Sequence, residues 1–324
     1  MIRDARVVVT RRLPLSVEER LTGLVDARLN PDDSALTADE LVEALRTADG
    51  LLATVTDRLT AEILSATPRR AGIVANFGAG VDHIDLVAAR QAGIVVTNTP
   101  GVLTDATADL AIALLLAVAR RMGEGERHLR SGAWTGWRPT HMMGSSVTGT
   151  TLGIVGMGRI GRAVALRATR GFGMRVLYHQ PRPVDEAGLA GLDVHRAHDL
   201  DELLAESDAV TLHCPATPET WHLIDSERLA RMRPGAFLIN TSRGEVVDEA
   251  ALADALDSGT IAGAGLDVYE HEPHVTPALL RLENVVLLPH IASSTVDVRV
   301  AMGDRAVDNL MAFLHGHPPH DRVA

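Results

Sequence analysis

Lysine is absent from the sequence: all 31 basic residues are arginine. A protein without lysine forms no Schiff base through a lysine amine, carries no lysine-linked pyridoxal phosphate, and lacks the lysine of a phosphate-binding P-loop. The codon bias of a GC-rich genome is the simplest origin of this absence. It nevertheless excludes these three kinds of site.

Cysteine and long apolar segments are also scarce. The single cysteine, Cys214, excludes an intramolecular disulfide and is typical of a reducing compartment. Apolar runs such as residues 110–118 are shorter than the roughly 20 residues that a membrane-spanning helix needs. The first residues lack the apolar core and small-residue cleavage site of a secretory signal. We therefore expect a soluble cytoplasmic protein with no membrane partner.

Aromatic residues make up only 3% of the chain, although hydrophobic residues make up 46%. The interior must be built mainly from Ala, Val, Leu and Ile, as in helix-covered parallel sheets. The net charge of −11 argues against nucleic acid as a partner, because no basic patch is apparent, and an anionic small substrate would need a local positive group. The length of 324 residues is sufficient for two domains.

The most informative stretch is TTLGIVGMGRIG, residues 150–161. A short apolar strand at Thr151–Val155 precedes the pattern G-x-G-x-x-G, and residues 159–170 have helical spacing. Gly156 permits the tight turn, Gly158 lets the backbone approach a pyrophosphate, and Gly161 lets the helix pack on the strand. The pattern alone is weak evidence, but strand, turn and helix together predict a dinucleotide site.

Strands alternate with helices on both sides of this motif, which predicts parallel sheets. In the first hundred residues we expect strands at 6–10, 51–55, 71–76 and 94–97, and helices at 17–25, 35–46, 60–66 and 83–91. A long apolar helix follows at 105–121, then an aperiodic, loop-containing connection at 123–149. Further strands are expected at 174–178, 209–213, 236–240, 262–267 and 285–288, a final helix at 294–314, and a loose tail.

The residue that reads the adenosine ribose is expected at the end of the strand after the glycine motif. An Asp or Glu there would bind the ribose 2′-hydroxyl and repel a 2′-phosphate, but this position is Gln180. Arg182 lies two residues on and could pair with a phosphate, or could simply point into solvent. This pattern favours NADP(H) over NAD(H).

Three later strands end in residues with complementary chemistry. One ends at Arg243, one in an acidic cluster containing Asp267, Glu270 and Glu272, and the last at His290. An arginine can hold the carboxylate and carbonyl oxygens of an α-keto acid. A histidine beside a carboxylate can supply the proton that the reduced carbonyl oxygen needs. The sequence alone leaves open whether Glu270 or Glu272 pairs with His290.

Long motifs in nearly the whole chain resemble the D-isomer-specific 2-hydroxyacid dehydrogenases. They are ANFGAGVDHIDL, VTNTPGVLTDATADLA, LGIVGMGRIG, INTSRGEVVDEAAL, GAGLDVYEHEP and VLLPHIAS. Within that family the first two, and the loop GAWTGW at 132–137, are most similar to glyoxylate and hydroxypyruvate reductases.

The resemblance implies an α/β fold of two Rossmann-like, flavodoxin-like domains with parallel sheets and an active-site cleft between them. A discontinuous substrate-binding domain would comprise residues 1–101 and 291–324, and the dinucleotide-binding domain residues 102–290. The resemblance also implies a homodimer formed through the cofactor domain.

The same resemblance implies roles for individual residues. Arg243 would bind substrate, His290 would act as general acid and base, and Glu272 would pair with His290 and favour its charged form. The substrate carboxylate would bind backbone N–H groups at Gly78, Ala79 and Gly80, with Asn76 and Asp82 shaping that loop. Cofactor contacts would come from Gly156, Gly158, Arg159, Ile160, Gly161, Gln180, Arg182, Cys214, Thr107, Thr241, Asp267 and Ala292.

Two assignments keep alternatives. Trp137 falls where such reductases reach into the neighbouring subunit's site, but it could equally be an ordinary surface or interface tryptophan. Cys214 could in principle be a nucleophile, although no ordered Cys-His pair is readable, and we interpret it as a small residue beside the cofactor.

The resulting hypothesis is an NADPH-preferring reductase of glyoxylate or hydroxypyruvate that requires no metal. Its partners would be a small 2-keto or 2-hydroxy acid and NADP(H), with NAD(H) as the alternative cofactor. A dehydrogenase for a bulkier 2-keto acid, phosphite oxidation on the same scaffold, and a non-catalytic dinucleotide-sensing protein remain as rival functions.

Overall fold

The computed structural model describes residues 4–182, 184 and 186–324. The chain divides into two compact units, one running to Leu103 and resuming at Ser293–Ala324, the other comprising Thr104–Ala292. Each unit contains one parallel sheet, of five and seven strands respectively. The predicted α/β class with two parallel-sheet domains is confirmed.

The first unit begins with five strands and four helices in alternation. They are β1 (Arg6–Val9), α1 (Leu15–Leu24), β2 (Asp26–Arg28), α2 (Ala38–Thr47), β3 (Gly50–Thr54), α3 (Ala61–Ser65), β4 (Ile73–Phe77), α4 (Leu86–Gln91) and β5 (Val95–Thr97). The strand order is β2-β1-β3-β4-β5. Thr37 and Glu40 form a capping box at the start of α2, which satisfies backbone N–H groups that the helix itself leaves free.

The second unit carries the glycine motif at the centre of its sheet. Its elements are α5 (Thr104–Ala119), α6 (Met122–Arg130), β6 (Thr151–Val155), α7 (Arg159–Phe172), β7 (Arg175–His179), β8 (Val194–Arg196), α8 (Leu200–Glu206), β9 (Ala209–Leu212), α9 (Ser226–Arg231), β10 (Phe237–Asn240), α10 (Glu249–Asp257), β11 (Gly263–Leu266) and β12 (Val285–Leu287). The strand order is β12-β11-β10-β9-β6-β7-β8. The order therefore reverses between β6 and β9, the kind of switch point at which open α/β sheets bind ligands.

Alternation of side chains along the strands places apolar residues on both faces of this sheet. Val176 and Tyr178 of β7 belong to a buried cluster with α5 and α7, whereas Leu177 belongs to a cluster with α8, α9 and α10. A parallel sheet covered on both faces is buried throughout, which explains the nearly continuous apolar runs of its central strands.

The strand register brings the carboxyl ends of the central strands into line. Asn240 of β10 is the pairing partner of Leu212 on one side and Leu266 on the other, and Leu266 pairs with Leu287. The residues that follow these strands therefore leave the sheet at the same edge.

The last helix, α11 (Val296–Leu314), belongs to the first unit. Its Met302, Ala306 and Leu310 pack in a buried cluster with Val7 of β1 and Ile73 of β4. Residues from both ends of the chain therefore contribute to the hydrophobic core of the first unit.

Of two expectations for irregular segments, one was confirmed and one was wrong. Residues 123–149 form the expected loop-containing connection, since residues 131–149 contain no helix or strand, and the segment also includes most of helix α6. This helix has no buried residue, and Met122 and Leu129 are its only large apolar side chains, so few apolar residues mark it in the sequence. The tail was expected to be loose, but Val323 donates its backbone N–H to Val96 over 2.8 Å and Ala324 accepts from Val96 over 3.1 Å. These bonds add the chain end to the edge strand β5.

In the part of the chain that the structure describes, no helix combines the length and apolar character needed to cross a membrane.

Candidate active site

The glycine turn between β6 and α7 has three positions with distinct steric surroundings. Gly156 has φ +97°, and a Cβ there would lie 2.8 Å from the carbonyl carbon of His213. A Cβ on Gly161 would lie 2.2 Å from the carbonyl oxygen of Gly156. At Gly158, the residue that caps α7, a Cβ would meet nothing within 4 Å. Two glycines are therefore required by packing, and the middle one keeps the helix N-terminus open, as a phosphate-binding turn requires. The turn fits a dinucleotide.

Gln180 follows β7 and is tied to this turn. Its Oε1 accepts the backbone N–H of Met157 over 2.9 Å, and its Nε2 donates to the carbonyl oxygen of Arg182 over 2.7 Å. Arg196, at the end of the neighbouring strand β8, donates to the carbonyl oxygen of Gln180 over 3.2 Å. Arg182 itself is exposed. The guanidinium of Arg196 therefore contacts the residue expected to read the ribose, and Arg182 lies exposed two residues after it.

Other expected cofactor residues lie along the same sheet edge or in α5. Arg159 and Ile160 open helix α7, Thr107 is buried in α5, and Ala292 is buried after β12. The hydroxyl oxygen of Thr241, directly after β10, is buried without a hydrogen-bond partner among the described residues. A buried polar atom without a partner at the carboxyl edge of this sheet is consistent with a ligand that would supply the hydrogen bond.

Cys214 follows β9 beside the glycine turn, since its backbone N would lie 2.9 Å from a Cβ on Gly156. Burial raises the pKa of its thiol to about 11. The thiol is therefore neutral near pH 7, which is the opposite of what an activated nucleophile needs.

Arg243 is presented by a turn that Asn240 organises. The Asn240 Oδ1 accepts the backbone N–H of Ser242 over 3.0 Å, and its Nδ2 donates to the carbonyl oxygen of Arg243 over 2.8 Å. The next residue, Gly244, packs so closely on the segment after β11 that a Cβ would lie 1.9 Å from the carbonyl carbon of Tyr269. This glycine places the arginine turn against the segment that carries the acidic cluster.

The structure distinguishes between the two glutamates of that cluster. The Nδ1 atom of His290 lies 2.8 Å from Oε2 of Glu272, with the two side chains 31% and 34% exposed. Glu270 instead contacts His222, with Nε2 to Oε1 at 2.8 Å. Glu272, not Glu270, is therefore the carboxylate beside His290.

The Glu272 carboxyl is held in its ionised form. Burial opposes ionisation, but the hydrogen bond and charge of His290, together with the backbone N–H of Tyr269 and the charge of Arg243, outweigh it and lower the pKa of Glu272. The arginine, glutamate and histidine expected from three strand ends are thus brought together.

Asp267 supports the histidine rather than pairing with its ring. Its carboxylate oxygens accept the backbone N–H groups of Ile291 and Ala292, each over 2.8 Å. Burial raises the pKa of this carboxyl, and the two backbone bonds partly offset that effect. His290 itself has φ +54°, an uncommon conformation for a residue other than glycine.

The loop after β4 in the first unit is also organised by side-chain amides. Asn76 donates from Nδ2 to the carbonyl oxygens of Gly78 and Gly80, at 3.1 and 2.8 Å, and Asn98 donates to that of Ala79 over 2.7 Å. Among the described residues, nothing accepts a hydrogen bond from the backbone N–H of Ala79 or Gly80. The loop therefore has its carbonyl groups engaged and two N–H groups available to an anion.

Trp137 is 82% exposed, and Leu129, Trp134 and Met143 in the same region are also at least half exposed. The structure therefore leaves both interpretations of Trp137 open.

Asn240 and His222 were not recognised from the sequence. An asparagine directly before Thr-Ser at a strand end is a signal for a side-chain-stabilised turn and could have been read. No local pattern signals His222, whose partner lies 48 residues away.

Within the described ranges, no group of three or more His, Cys, Asp or Glu side chains is arranged to hold a metal ion.

Comparisons with known proteins show what the chain is similar to. Residues 112–292 match the model of "D-isomer specific 2-hydroxyacid dehydrogenase, NAD binding domain". The chain is 45% identical to a glyoxylate reductase of Thermococcus litoralis, with 98% of this chain and 96% of the relative covered. It is 47% identical to a glyoxylate reductase of Korarchaeum cryptofilum, over 98% and 95% of the two chains.

A solved structure extends the similarity to the fold. An NADPH-dependent glyoxylate/hydroxypyruvate reductase from Sinorhizobium meliloti, in complex with NADP and malonate, superimposes with a TM-score of 0.85 at 38% identity. The match covers 99% of this chain and 97% of that structure.

Proposed function

Because the chain belongs to the D-isomer specific 2-hydroxyacid dehydrogenase family, we propose that it uses a nicotinamide dinucleotide to reduce a small 2-keto acid. The substrates that fit best are glyoxylate, giving glycolate, and hydroxypyruvate, giving D-glycerate. The pairing of His290 with an ionised Glu272 beside Arg243 carries this proposal, because it joins a proton donor to a cation that can bind the keto acid. The names of the relatives support the choice of substrate.

In this proposal the three residues have separate tasks. Arg243 binds the carboxylate and carbonyl oxygens of the substrate and opposes the negative charge that develops on the carbonyl oxygen. His290 donates a proton to that oxygen, and ionised Glu272 favours the protonated imidazolium. The backbone N–H groups of Ala79 and Gly80 bind the substrate carboxylate.

The cofactor would be held by the glycine turn. Bound there, a reduced nicotinamide dinucleotide supplies the hydride that the carbonyl carbon accepts. The N-terminus of α7, from Arg159, and the open position at Gly158 would bind its pyrophosphate. The Thr241 hydroxyl would gain a partner.

We propose that the preferred cofactor is NADP(H). Gln180 carries no charge to repel a 2′-phosphate, the guanidinium of Arg196 contacts its backbone carbonyl group, and Arg182 is exposed two residues further on. Arginine pairs with phosphate through charge-assisted hydrogen bonds, whereas an NAD-specific site would place a carboxylate here.

We also propose a homodimer that uses the surface of residues 122–143. Helix α6 has no buried residue, and Leu129 is 60% exposed. An exposed apolar surface of this kind marks an interaction site, and burial of Trp137 in it would remove a large apolar side chain from water.

Initial rates of NADPH and NADH oxidation with glyoxylate, hydroxypyruvate, pyruvate and a phenyl-substituted keto acid test the proposal. Fast turnover of the two small acids with NADPH is expected. A preference for the phenyl-substituted acid would replace the substrate assignment, and activity confined to NADH would replace the cofactor assignment. Binding of NADPH without turnover of any keto acid would contradict the enzyme proposal and favour a dinucleotide sensor.

A further inference from the structure

Glu249, the first residue of α10, is a buried carboxylate outside the Arg243, Glu272 and His290 group. Its residue surface is only 3% exposed. Oε1 accepts the backbone N–H of Glu270 over 2.6 Å, and Oε2 accepts the backbone N–H of Thr276 over 3.3 Å and its hydroxyl over 2.5 Å. Burying a carboxylate is costly unless such donors compensate, so this side chain is a defined part of the fold.

The donors to Glu249 lie on either side of Glu272. Glu270 precedes it by two residues, and Thr276 follows it by four. Between these two donors the chain forms a turn, in which the backbone N–H of His274 donates to the carbonyl oxygen of His271 over 2.8 Å. One carboxylate therefore holds both ends of a short turn that presents Glu272.

The position of this turn determines what Glu272 can reach. Its Oε1 accepts the backbone N–H of Tyr269 over 3.1 Å, which leaves Oε2 to bind His290 over 2.8 Å. Both bonds depend on where the backbone of residues 269–272 lies. On one side Gly244 limits that position, because its Cα packs directly on the carbonyl group of Tyr269. Glu249 also limits the position of this backbone, through its hydrogen bonds to Glu270 and Thr276.

We propose that Glu249 is a positioning residue for the reaction, which it supports by holding the turn that aligns Glu272 with His290. The inference rests on the proposed function, since it assigns Glu249 to the proton-donating step. Glu249 contacts neither the histidine nor the reacting atoms. Its effect is transmitted through the backbone of Glu270 and Thr276.

Several charged groups lie near the Glu272–His290 pair and near Glu249. Arg243 and Asp267 act on Glu272, as its own pKa and that of Asp267 show. Next to Glu249, the Glu270 side chain pairs with His222, which also lies 3.8 Å from Asp248. Substitution of Glu249 removes none of these groups, and it acts on Glu272 through the position of the turn.

The variant Glu249→Gln tests the proposal, because the amide keeps the size of the side chain but offers one acceptor oxygen to three donors. We expect kcat for keto-acid reduction to fall about tenfold or more, since small misplacements of a reacting group carry penalties of this size. The acidic limb of the pH profile should move to higher pH, because a less well aligned Glu272 loses part of the hydrogen bond to His290 that helps to lower its pKa. KM for the keto acid should change by less than about threefold.

Asp254→Asn is the matched control, because Asp254 lies on the same helix, is exposed, and undergoes the same chemical change. It should leave both kcat and the pH profile unchanged. A merely structural role for Glu249 would lower the unfolding temperature without moving the pH profile. A folded Glu249→Gln variant with wild-type kcat and pH profile would overturn the proposal.

If Glu249→Gln does not fold, the pair Thr276→Val and Thr276→Ser decides. Valine removes only the hydroxyl donor to Glu249, whereas serine retains it. The proposal expects the kcat loss and the pH shift in the valine variant and their rescue in the serine variant. Equal behaviour of the two variants would contradict it. Failure of the proposed function is distinct, because then the wild-type protein itself would reduce no 2-keto acid.

Discussion

The backbone N–H of His290 donates a hydrogen bond to the carbonyl oxygen of Asp267 over 2.9 Å. The carboxylate of the same aspartate accepts the next two backbone N–H groups, those of Ile291 and Ala292. A buried residue after β11 thus binds three successive N–H groups after β12. These bonds stabilise the positive φ of His290, a conformation that costs about 1–3 kcal/mol. The ring is therefore held in place from its backbone as well as through Glu272.

Replacement of His290 tests the proton donor. His290→Ala should lower kcat for keto-acid reduction by roughly 100-fold or more, because general acid catalysis contributes factors of this size. Cofactor affinity, measured by NADPH fluorescence, should be retained, since the glycine turn is unchanged. Near-normal kcat would exclude His290 as the acid.

The lowered pKa of Glu272 predicts a pH dependence of stability. An ionised group with a depressed pKa in the folded state stabilises the fold fully above its ordinary value of 4.5, and the contribution is lost as pH falls through the lower folded value. The difference in unfolding free energy between wild type and Glu272→Gln should therefore shrink as the pH is lowered through this range. Urea unfolding at a series of pH values measures it. A difference that grows on acidification would contradict a lowered pKa of Glu272 in the folded state.

The glycine turn predicts two alanine variants with different defects. Gly161→Ala places a Cβ against the Gly156 carbonyl oxygen and should cost about 1–3 kcal/mol of stability. Gly158→Ala meets no protein atom within 4 Å, so it should unfold at nearly the wild-type temperature but bind NADPH poorly. Thermal unfolding and NADPH titration of both variants separate the effects. Normal cofactor binding by Gly158→Ala would contradict a phosphate site at this turn.

Arg182→Gln tests the cofactor preference. Loss of a hydrogen bond to a charged group costs about 1.5–3 kcal/mol, so KM for NADPH should rise at least tenfold while KM for NADH changes little. Arg175→Gln, at the opposite end of β7, is the matched control and should affect neither cofactor. An equal loss of both cofactors in Arg182→Gln would indicate a general structural role for this arginine.

The thiol of Cys214 predicts slow chemical modification. With a pKa of about 11, it carries little thiolate at pH 7.5, and its alkylation rate should rise steeply only toward pH 10. Since it is the only cysteine, the mass added by iodoacetamide reports this site alone. Cys214→Ala should retain kcat within about threefold, because the proposed chemistry uses no nucleophile. Rapid alkylation at pH 7, prevented by substrate, would contradict this interpretation.

Features that depend on nearby residues were predictable from the sequence. The strand, glycine turn and helix around Gly156–Gly161 form a local pattern, and so does the capping box of Thr37 and Glu40. Alternation of strands with helices predicted parallel sheets, because a parallel connection needs a crossover. Helix α6 was not predicted because it contains only two large apolar side chains, Met122 and Leu129. The pairing of the tail was not predicted because its partner, Val96, lies far away in the chain.

The amino-acid sequence by itself determined the α/β class, the glycine turn, and the presence of an arginine, a carboxylate and a histidine at the ends of successive strands. Only the tertiary structure decided which glutamate meets His290, that Asn240 shapes the Arg243 turn, and that Glu249 holds the turn of Glu272. The physical reason is the separation in sequence between the residues that interact. Helix periods and glycine turns arise from neighbours in the chain, whereas the hydrogen bond from Glu270 to Glu249 joins residues 21 positions apart. These residues meet only when α10 and β11 have packed in the tertiary structure.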